Sequence, residues 1–174
     1  ATGMQLGDGT SRHHVNGKDL ALGIGALGTF AHHTVVNEAS CIKIDKELPL
    51  DKACLMGCGV VTGWGSAVYA AQVEPGDTVA VVGAGGIGAN AIQGARLAGA
   101  RVIAAIDPIE FKRDKAMEFG ATHTHASIDE ALAALPETTW NRGFDKVIMT
   151  CGVGNGDVLG QALWLGGKRS KIVV

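Results

Sequence analysis

Gly83-Ala84-Gly85-Gly86-Ile87-Gly88 has the spacing G-x-G-x-x-G, and Asp107 follows 19 residues after Gly88. The chemistry such a pattern serves is capture of a dinucleotide diphosphate. Gly83 permits a tight turn, Gly85 lets a pyrophosphate approach the backbone, and Gly88 brings the following helix close to the sheet. A helix that begins inside the motif offers unpaired N–H groups and a positive dipole end to phosphate oxygens. Asp107 would accept hydrogen bonds from both hydroxyls of an adenosine ribose. Its charge would repel a 2′-phosphate, so NAD is favoured over NADP. Lys112, one turn later, is placed to reach the ribose or to soften that discrimination.

A glycine-rich chain matches this pattern by chance, so the specificity comes from context. A buried strand ends at Val82, a helix starts within the motif, and Asp107 closes the next strand. A methyltransferase that binds S-adenosylmethionine shares a glycine-rich first turn. It would carry an acidic residue just before the glycines, where this chain has Val81-Val82. Dinucleotide binding is the better reading.

The other reactive side chains are less informative. Cysteines stand at 41, 54, 58 and 151, with no Cys-x-x-Cys pair, which reads as free thiols in a reducing compartment. Cys54 and Cys58 have the helical i,i+4 spacing, but no histidine or acidic motif accompanies them, so Cys54 is expected in the core. Cys41 is expected to begin a strand. His13-His14 and His32-His33 place adjacent rings on opposite strand faces, a poor arrangement for a shared metal. His123 and His125 share a face but have no visible third ligand. Trp64 and Trp164 are expected to pack inside, with Trp64 able to border a substrate channel.

The elements that position these residues alternate from about residue 76 onward. Strands are expected at Thr78–Val82, Arg101–Ile106, Asp145–Thr150 and from Lys171. Helices are expected at Gly83–Ala100, Ile109–Phe119, from a capping box at Ser127 to about Leu135, and at Asp157–Leu165. This predicts an α/β fold with a doubly wound parallel sheet and right-handed crossovers. Residues 1 to about 50 alternate over Thr29–Val36 and Cys41–Ile44, as in an irregular β-rich unit, and Leu50–Val73 reads as connecting helices. Ala53 to Val73 lacks charge for 21 residues, the length of a membrane span. Its glycines and polar residues argue for a buried core segment instead.

Composition narrows the classes. Glycine is twice its usual ~7%, at 26 of 174 residues, while 47% hydrophobic and 18% charged residues predict a folded core. A net charge of -2 without a basic cluster argues against nucleic acid and membrane surfaces. No charged leader precedes an apolar run, so no secretory signal is expected. The chain stops on its last strand, which predicts a Rossmann sheet truncated at its C-terminal end.

Leu55-Met56-Gly57-Cys58-Gly59-Val60-Val61-Thr62-Gly63, joined to the Gly83 loop 25 residues after Cys58, resembles the zinc-dependent medium-chain alcohol dehydrogenases. The likeness covers essentially the whole chain. Trp64, Asp107-Pro108-Ile109-Glu110-Phe111-Lys112-Arg113 and Phe119-Gly120-Ala121-Thr122-His123 are most similar to the actinobacterial branch assayed with N,N-dimethyl-4-nitrosoaniline as artificial electron acceptor. The resemblance implies residues 1–57 as part of a β-rich, GroES-like catalytic domain with a connector, and 58–174 as an NAD-binding Rossmann domain.

It also implies Cys58 as a ligand of a catalytic zinc, Thr62 beside the nicotinamide, Gly83 to Gly88 on the pyrophosphate, Asp107 and Lys112 on the adenosine ribose, and Cys151 in a loop beside the cofactor. The implied activity is hydride transfer between an alcohol and NAD, with zinc as Lewis acid on the alcohol oxygen, in a cytoplasmic homo-oligomer acting on small alcohols or aldehydes. The family's other zinc ligands, an N-terminal cysteine and a Gly-His-Glu motif, do not occur in this sequence, and neither does its four-cysteine lobe. The resemblance therefore assigns the activity to the parent enzyme and none to these residues alone. Alternatives are a thiol-dependent formaldehyde dehydrogenase of the same superfamily and a noncatalytic dinucleotide-binding module.

Overall fold

The computed structural model describes residues 14–19, 31–34, 36, 38–152 and 156–174. Ala1–Leu48 and Pro49–Val174 form separate compact units. In the first, the described residues carry one hairpin, β1 (His14–Val15) antiparallel to β2 (Lys18–Asp19). Asn16 and Gly17 both take positive φ, 52° and 74°, which a two-residue type I′ turn demands. The strands expected further along are not found among the described residues. Residues 29, 30 and 35 lie outside them, while 31–34, 36 and 41–44 are irregular. Alternating β-branched residues hold a strand only when a neighbour takes up their backbone groups, and Ile42 and Ile44 are instead exposed. Cys41 is exposed rather than set in a strand, and the opposite-face argument for His32-His33 lapses with its strand.

The second unit opens with α1 (Leu50–Ala53), a 3₁₀ turn (Cys54–Gly57), α2 (Gly59–Gly65) and a π turn (Ser66–Ala70). The stretches before and after Cys58 meet at a 55° bend, and no single helix among the described residues is long and apolar enough to cross a membrane. The expected burial of this segment is only half right. Gly63, Ala67, Ala71 and Val73 are buried, but Cys54, Leu55, Met56, Cys58, Val61 and Tyr69 are exposed. The reason is that small residues make the contact with the next helix, which leaves the large apolar side chains on the opposite face.

A five-stranded parallel sheet follows. Its strands are β3 (Thr78–Val82), β4 (Val102–Ile106), β5 (His123–His125), β6 (Phe144–Met149) and β7 (Gly166–Val173), in the spatial order β5-β4-β3-β6-β7. These correspond to the first five strands of the 3-2-1-4-5-6 Rossmann order. Every residue of β3 and β4 is buried. Val79, Val81, Ile103 and Ala105 face one core, while Ala80, Val82, Ala104 and Ile106 face the other. A strand buried on both faces has no polar side, which explains the unbroken apolar runs. At the amino end of β3, Asp145 accepts from both the N–H and the hydroxyl of Thr78, and that hydroxyl accepts the Asp145 N–H in return.

The crossing helices are α3 (Gly86–Leu97), α4 (Glu110–Phe119), α5 (Ile128–Ala133), α6 (Leu135–Thr139) and α7 (Gly156–Leu165). Ser127 caps α5 by accepting the Glu130 N–H, while Glu130 reaches back to the N–H of Ala126, one residue before the serine. The single helix expected from Ser127 is two. The break falls at Ala134, and Pro136 sits in the first turn of α6, where a missing N–H costs no helical bond. Strand β7 starts at Gly166, five residues before its expected start, through an irregularity in its pairing with β6. Trp164 is 77% exposed on α7 rather than interior, since Ala162 and Leu165 are the residues that face the sheet.

Candidate functional site

At the carboxyl end of β3 the backbone turns at Gly83, whose φ is +97°. Its N–H donates to the carbonyl of Ile106 at 2.8 Å, tying the turn to β4. On the other side the Thr150 hydroxyl donates to the Gly83 carbonyl at 2.6 Å, tying it to the chain leaving β6. A Cβ at Gly83 would lie 2.8 Å from the Cys151 nitrogen, and one at Gly88 would lie 1.9 Å from the Gly83 oxygen. The first turn of α3 therefore rests directly on the loop, as close packing of helix against strand requires. Gly85 is the N-cap, no side chain caps it, and a Cβ there would meet open space. The helix start accordingly presents backbone donors and a positive dipole end to whatever enters above it.

Asp107 closes β4 and is 4% exposed. Its Oδ2 accepts the N–H of Ala84 in the glycine loop at 2.9 Å, and its Oδ1 accepts the N–H of Ile109 at 3.0 Å. The Lys112 ammonium stands 3.6 Å from Oδ2. The carboxylate thus lies against the loop rather than turned from it. Two oxygens carry about four acceptor positions, so the two protein N–H bonds leave room for two ligand hydroxyls. That is the number a ribose diol would bring.

Gly83, Gly85, Asp107, Lys112, Thr150 and Cys151 line a crevice of about 420 Å³, which α7 closes with Val158 and Gln161. It sits outside the carboxyl ends of β3, β4 and β6, where the order of strands reverses, the usual ligand position in an open α/β sheet. A second hollow of about 690 Å³ shares Gly85 and Lys112 with the crevice and is walled by Gly86, Cys54, Cys58 and Phe111. It is larger but is lined by no carboxylate, so the crevice is the better place for the hydroxyls of a sugar. The glycine loop, Asp107, Lys112 and Cys151 come together around the crevice. Cys58 joins the loop only across the larger hollow. Thr62 lies one turn along α2, exposed, and lines neither, while Ile87 sits in the first turn of α3.

No three His, Cys, Asp or Glu side chains among the described residues are grouped so as to hold a metal. A catalytic zinc takes three protein ligands, and Cys58 alone does not make that set. His125 on β5 is held below its ordinary pKa, first by burial and then by the neighbouring His123, with Glu130 opposing. Its Nε2 is buried without a partner. Thr150, which ties down the glycine loop and lines the crevice, is a site residue that the sequence reading missed. Its only sequence mark is a hydroxyl at the end of a buried strand, which gains meaning once β6 is known to lie beside β3.

A family model described as zinc-binding dehydrogenase matches residues 86–174. Over 167 residues the chain is 46% identical to an NDMA-dependent alcohol dehydrogenase of Amycolatopsis methanolica, covering 96% of this chain and 45% of that protein. It is 49% identical over 116 residues to an S-(hydroxymethyl)glutathione dehydrogenase of Saccharomyces cerevisiae, covering 66% of this chain and 30% of that one. Among solved structures, an alcohol dehydrogenase zinc-binding domain protein from Burkholderia ambifaria superposes with a TM-score of 0.81 at 32% identity, over 98% of this chain and 46% of that chain. The chain spans less than half the length of these relatives.

Proposed function

The chain belongs to the zinc-binding dehydrogenase family, and we propose that it forms the cofactor-holding part of an oxidoreductase that moves a hydride between a small alcohol or aldehyde and NAD. The observation that carries this reading is the Asp107 carboxylate, anchored against the glycine loop with acceptor positions to spare. The first-turn amides of α3, from Gly85 to Gly88, hold the diphosphate. Asp107 takes the adenosine ribose with Lys112 beside it, and Cys151 borders the cofactor. Bound NAD supplies a hydride acceptor at C4 of its nicotinamide. The chain's own residues bind and orient it, which lowers the entropic barrier to transfer.

NAD rather than NADP follows from charge. A 2′-phosphate would have to enter against a buried carboxylate, and one ammonium at 3.6 Å offsets only part of that repulsion. We assign residues 1–57 to part of a GroES-like catalytic domain with its connector and 58–174 to the dinucleotide-binding domain. By the family resemblance we also assign Thr62 to the nicotinamide side and Cys58 as a zinc ligand in the parent enzyme. Among the described residues Cys58 has no companions grouped with it to complete a zinc set. Exposed Cys54 and Cys58, neither in a disulfide, fit a reducing, cytoplasmic setting, and the family resemblance supports a homo-oligomer.

Titration of the chain with NADH and NADPH tests the reading. Tighter binding of NADH is expected, and binding of neither would refute it. The identity to the yeast S-(hydroxymethyl)glutathione dehydrogenase favours a second reading, a formaldehyde dehydrogenase acting on a thiol adduct. Turnover by the parent enzyme only when a low-molecular-weight thiol is added would select that one.

A further inference from the structure

Behind the crevice lies a contact that the cofactor ligands do not account for. Arg113 sits on α4, half-buried, and does not border the crevice. Its Nη1 donates to the carbonyls of Asp107 at 2.9 Å and of Pro108 at 3.0 Å. These two peptides carry the chain from β4 across the mouth into α4. The Asp107 carbonyl belongs to a peptide whose nitrogen is Pro108, which has no N–H, so only its oxygen can anchor it. The Pro108 carbonyl shares a peptide with the Ile109 N–H, and that N–H is the donor to Asp107 Oδ1. One end of this peptide unit is thus held by the guanidinium and the other by the carboxylate. A cation on the carbonyl also polarises the peptide and strengthens its N–H as a donor.

We propose that Arg113 is a positioning residue that sets the Asp107 carboxylate for the ribose diol, and thereby the preference for NAD over NADP, through the Pro108–Ile109 peptide and without touching the dinucleotide. This rests on the dinucleotide reading of the crevice. Lys112 and Arg113 then divide the work of two adjacent cations: Lys112 faces the ligand, while Arg113 braces the loop from behind.

The test is isothermal titration of the 174-residue chain with NADH and with NADPH, with thermal melting as a check on folding. Arg113→Met is expected to weaken NADH about tenfold, the weight of one charge-assisted hydrogen bond, and to change NADPH less than about threefold. Arg113→Lys, which keeps a donor for the two carbonyls, should restore most of the preference. Asp107→Asn added to Arg113→Met should cost much less than it does alone, because the two side chains act as a unit. Should Arg113→Met not fold, Arg113→Gln carries the same comparison, with an intermediate loss of preference expected. Equal weakening of both dinucleotides, or an unchanged preference in a folded variant, would overturn the proposal and leave the cofactor reading intact. A wild-type chain that binds neither dinucleotide would overturn both.

Discussion

Gly88→Ala separates the geometric account of the loop from any looser one. The added methyl would start 1.9 Å from the Gly83 oxygen, 2.8 Å from the Thr150 hydroxyl and 2.9 Å from the Gly83 carbonyl carbon. Ordinary contact begins at 3.4 Å, so helix and loop must part by about 1.5 Å. Neither neighbour yields easily. The loop is held by Thr150 and by the carbonyl of Ile106, and the opposite flank of α3 is packed on α2, where a Cβ on Gly63 would lie 2.2 Å from the Ile87 oxygen. Overpacking costs about 1–3 kcal/mol, and a backbone obstacle puts this case near the top of that range. For a chain of this size about 3 kcal/mol lowers the melting temperature by roughly 6–12 °C. NADH affinity should fall as well, since the amides proposed to receive the diphosphate move with the helix. The control is Gly85→Ala, where the new methyl enters open space at a φ of -77°. That variant should melt within about 2 °C of wild type yet bind NADH more weakly, because the methyl occupies the proposed approach of the phosphate. Calorimetry and titration of the two variants decide the matter. If Gly88→Ala melts like wild type and keeps its NADH affinity, the packing argument is wrong.

Three further outcomes follow from the same geometry. Asp107→Asn places an amide donor against one of two backbone donors, so NADH should weaken about tenfold while NADPH tightens; an unmoved preference in titration would remove Asp107 from the ribose. His125 has a depressed pKa in the folded chain, so it contributes stability above its ordinary value near 6.5 that is lost as the pH falls through the lower folded value. Urea melts at pH 7.5 and 5.5 should show His125→Leu losing less stability on acidification than wild type, and an equal loss would discount the histidine. Cys151 lines the crevice and Cys54 does not, so NADH should slow alkylation of Cys151 relative to Cys54, read by peptide mass spectrometry; equal protection of both would place the ligand elsewhere.

The parallel sheet was legible because its central strands are buried on both faces. Thr78-Val79-Ala80-Val81-Val82 admits no other comfortable environment, and its bounds are those expected. The glycine loop was legible for a different reason. Its conformation is set by backbone sterics, which only glycine satisfies at Gly83 and Gly88. What failed was whatever depends on neighbours distant in sequence. Cys41–Ile44 alternates like a strand but lies in none among the described residues, and Gly166-Gly167-Lys168-Arg169, ahead of the expected strand start, belongs to β7, with Gly166 paired to Phe144 of β6. Trp164 looks like core until the face of α7 is known. Thr150 carries no motif and Arg113 stands only at the end of the Asp107–Arg113 stretch with no role of its own, and both act through main-chain carbonyls whose positions exist only in the folded chain. Cys58 shows the remaining limit, since a thiol becomes a metal ligand only through companions that its own flanking sequence does not name.

A crystal structure of the chain grown with NADH should show the diphosphate within hydrogen-bonding distance of the Gly85, Gly86 and Ile87 amides, and both adenosine ribose hydroxyls donating to Asp107. A diphosphate bound away from the start of α3, or a ribose that leaves Asp107 bonded only to Ala84 and Ile109, would contradict the dinucleotide reading of the crevice.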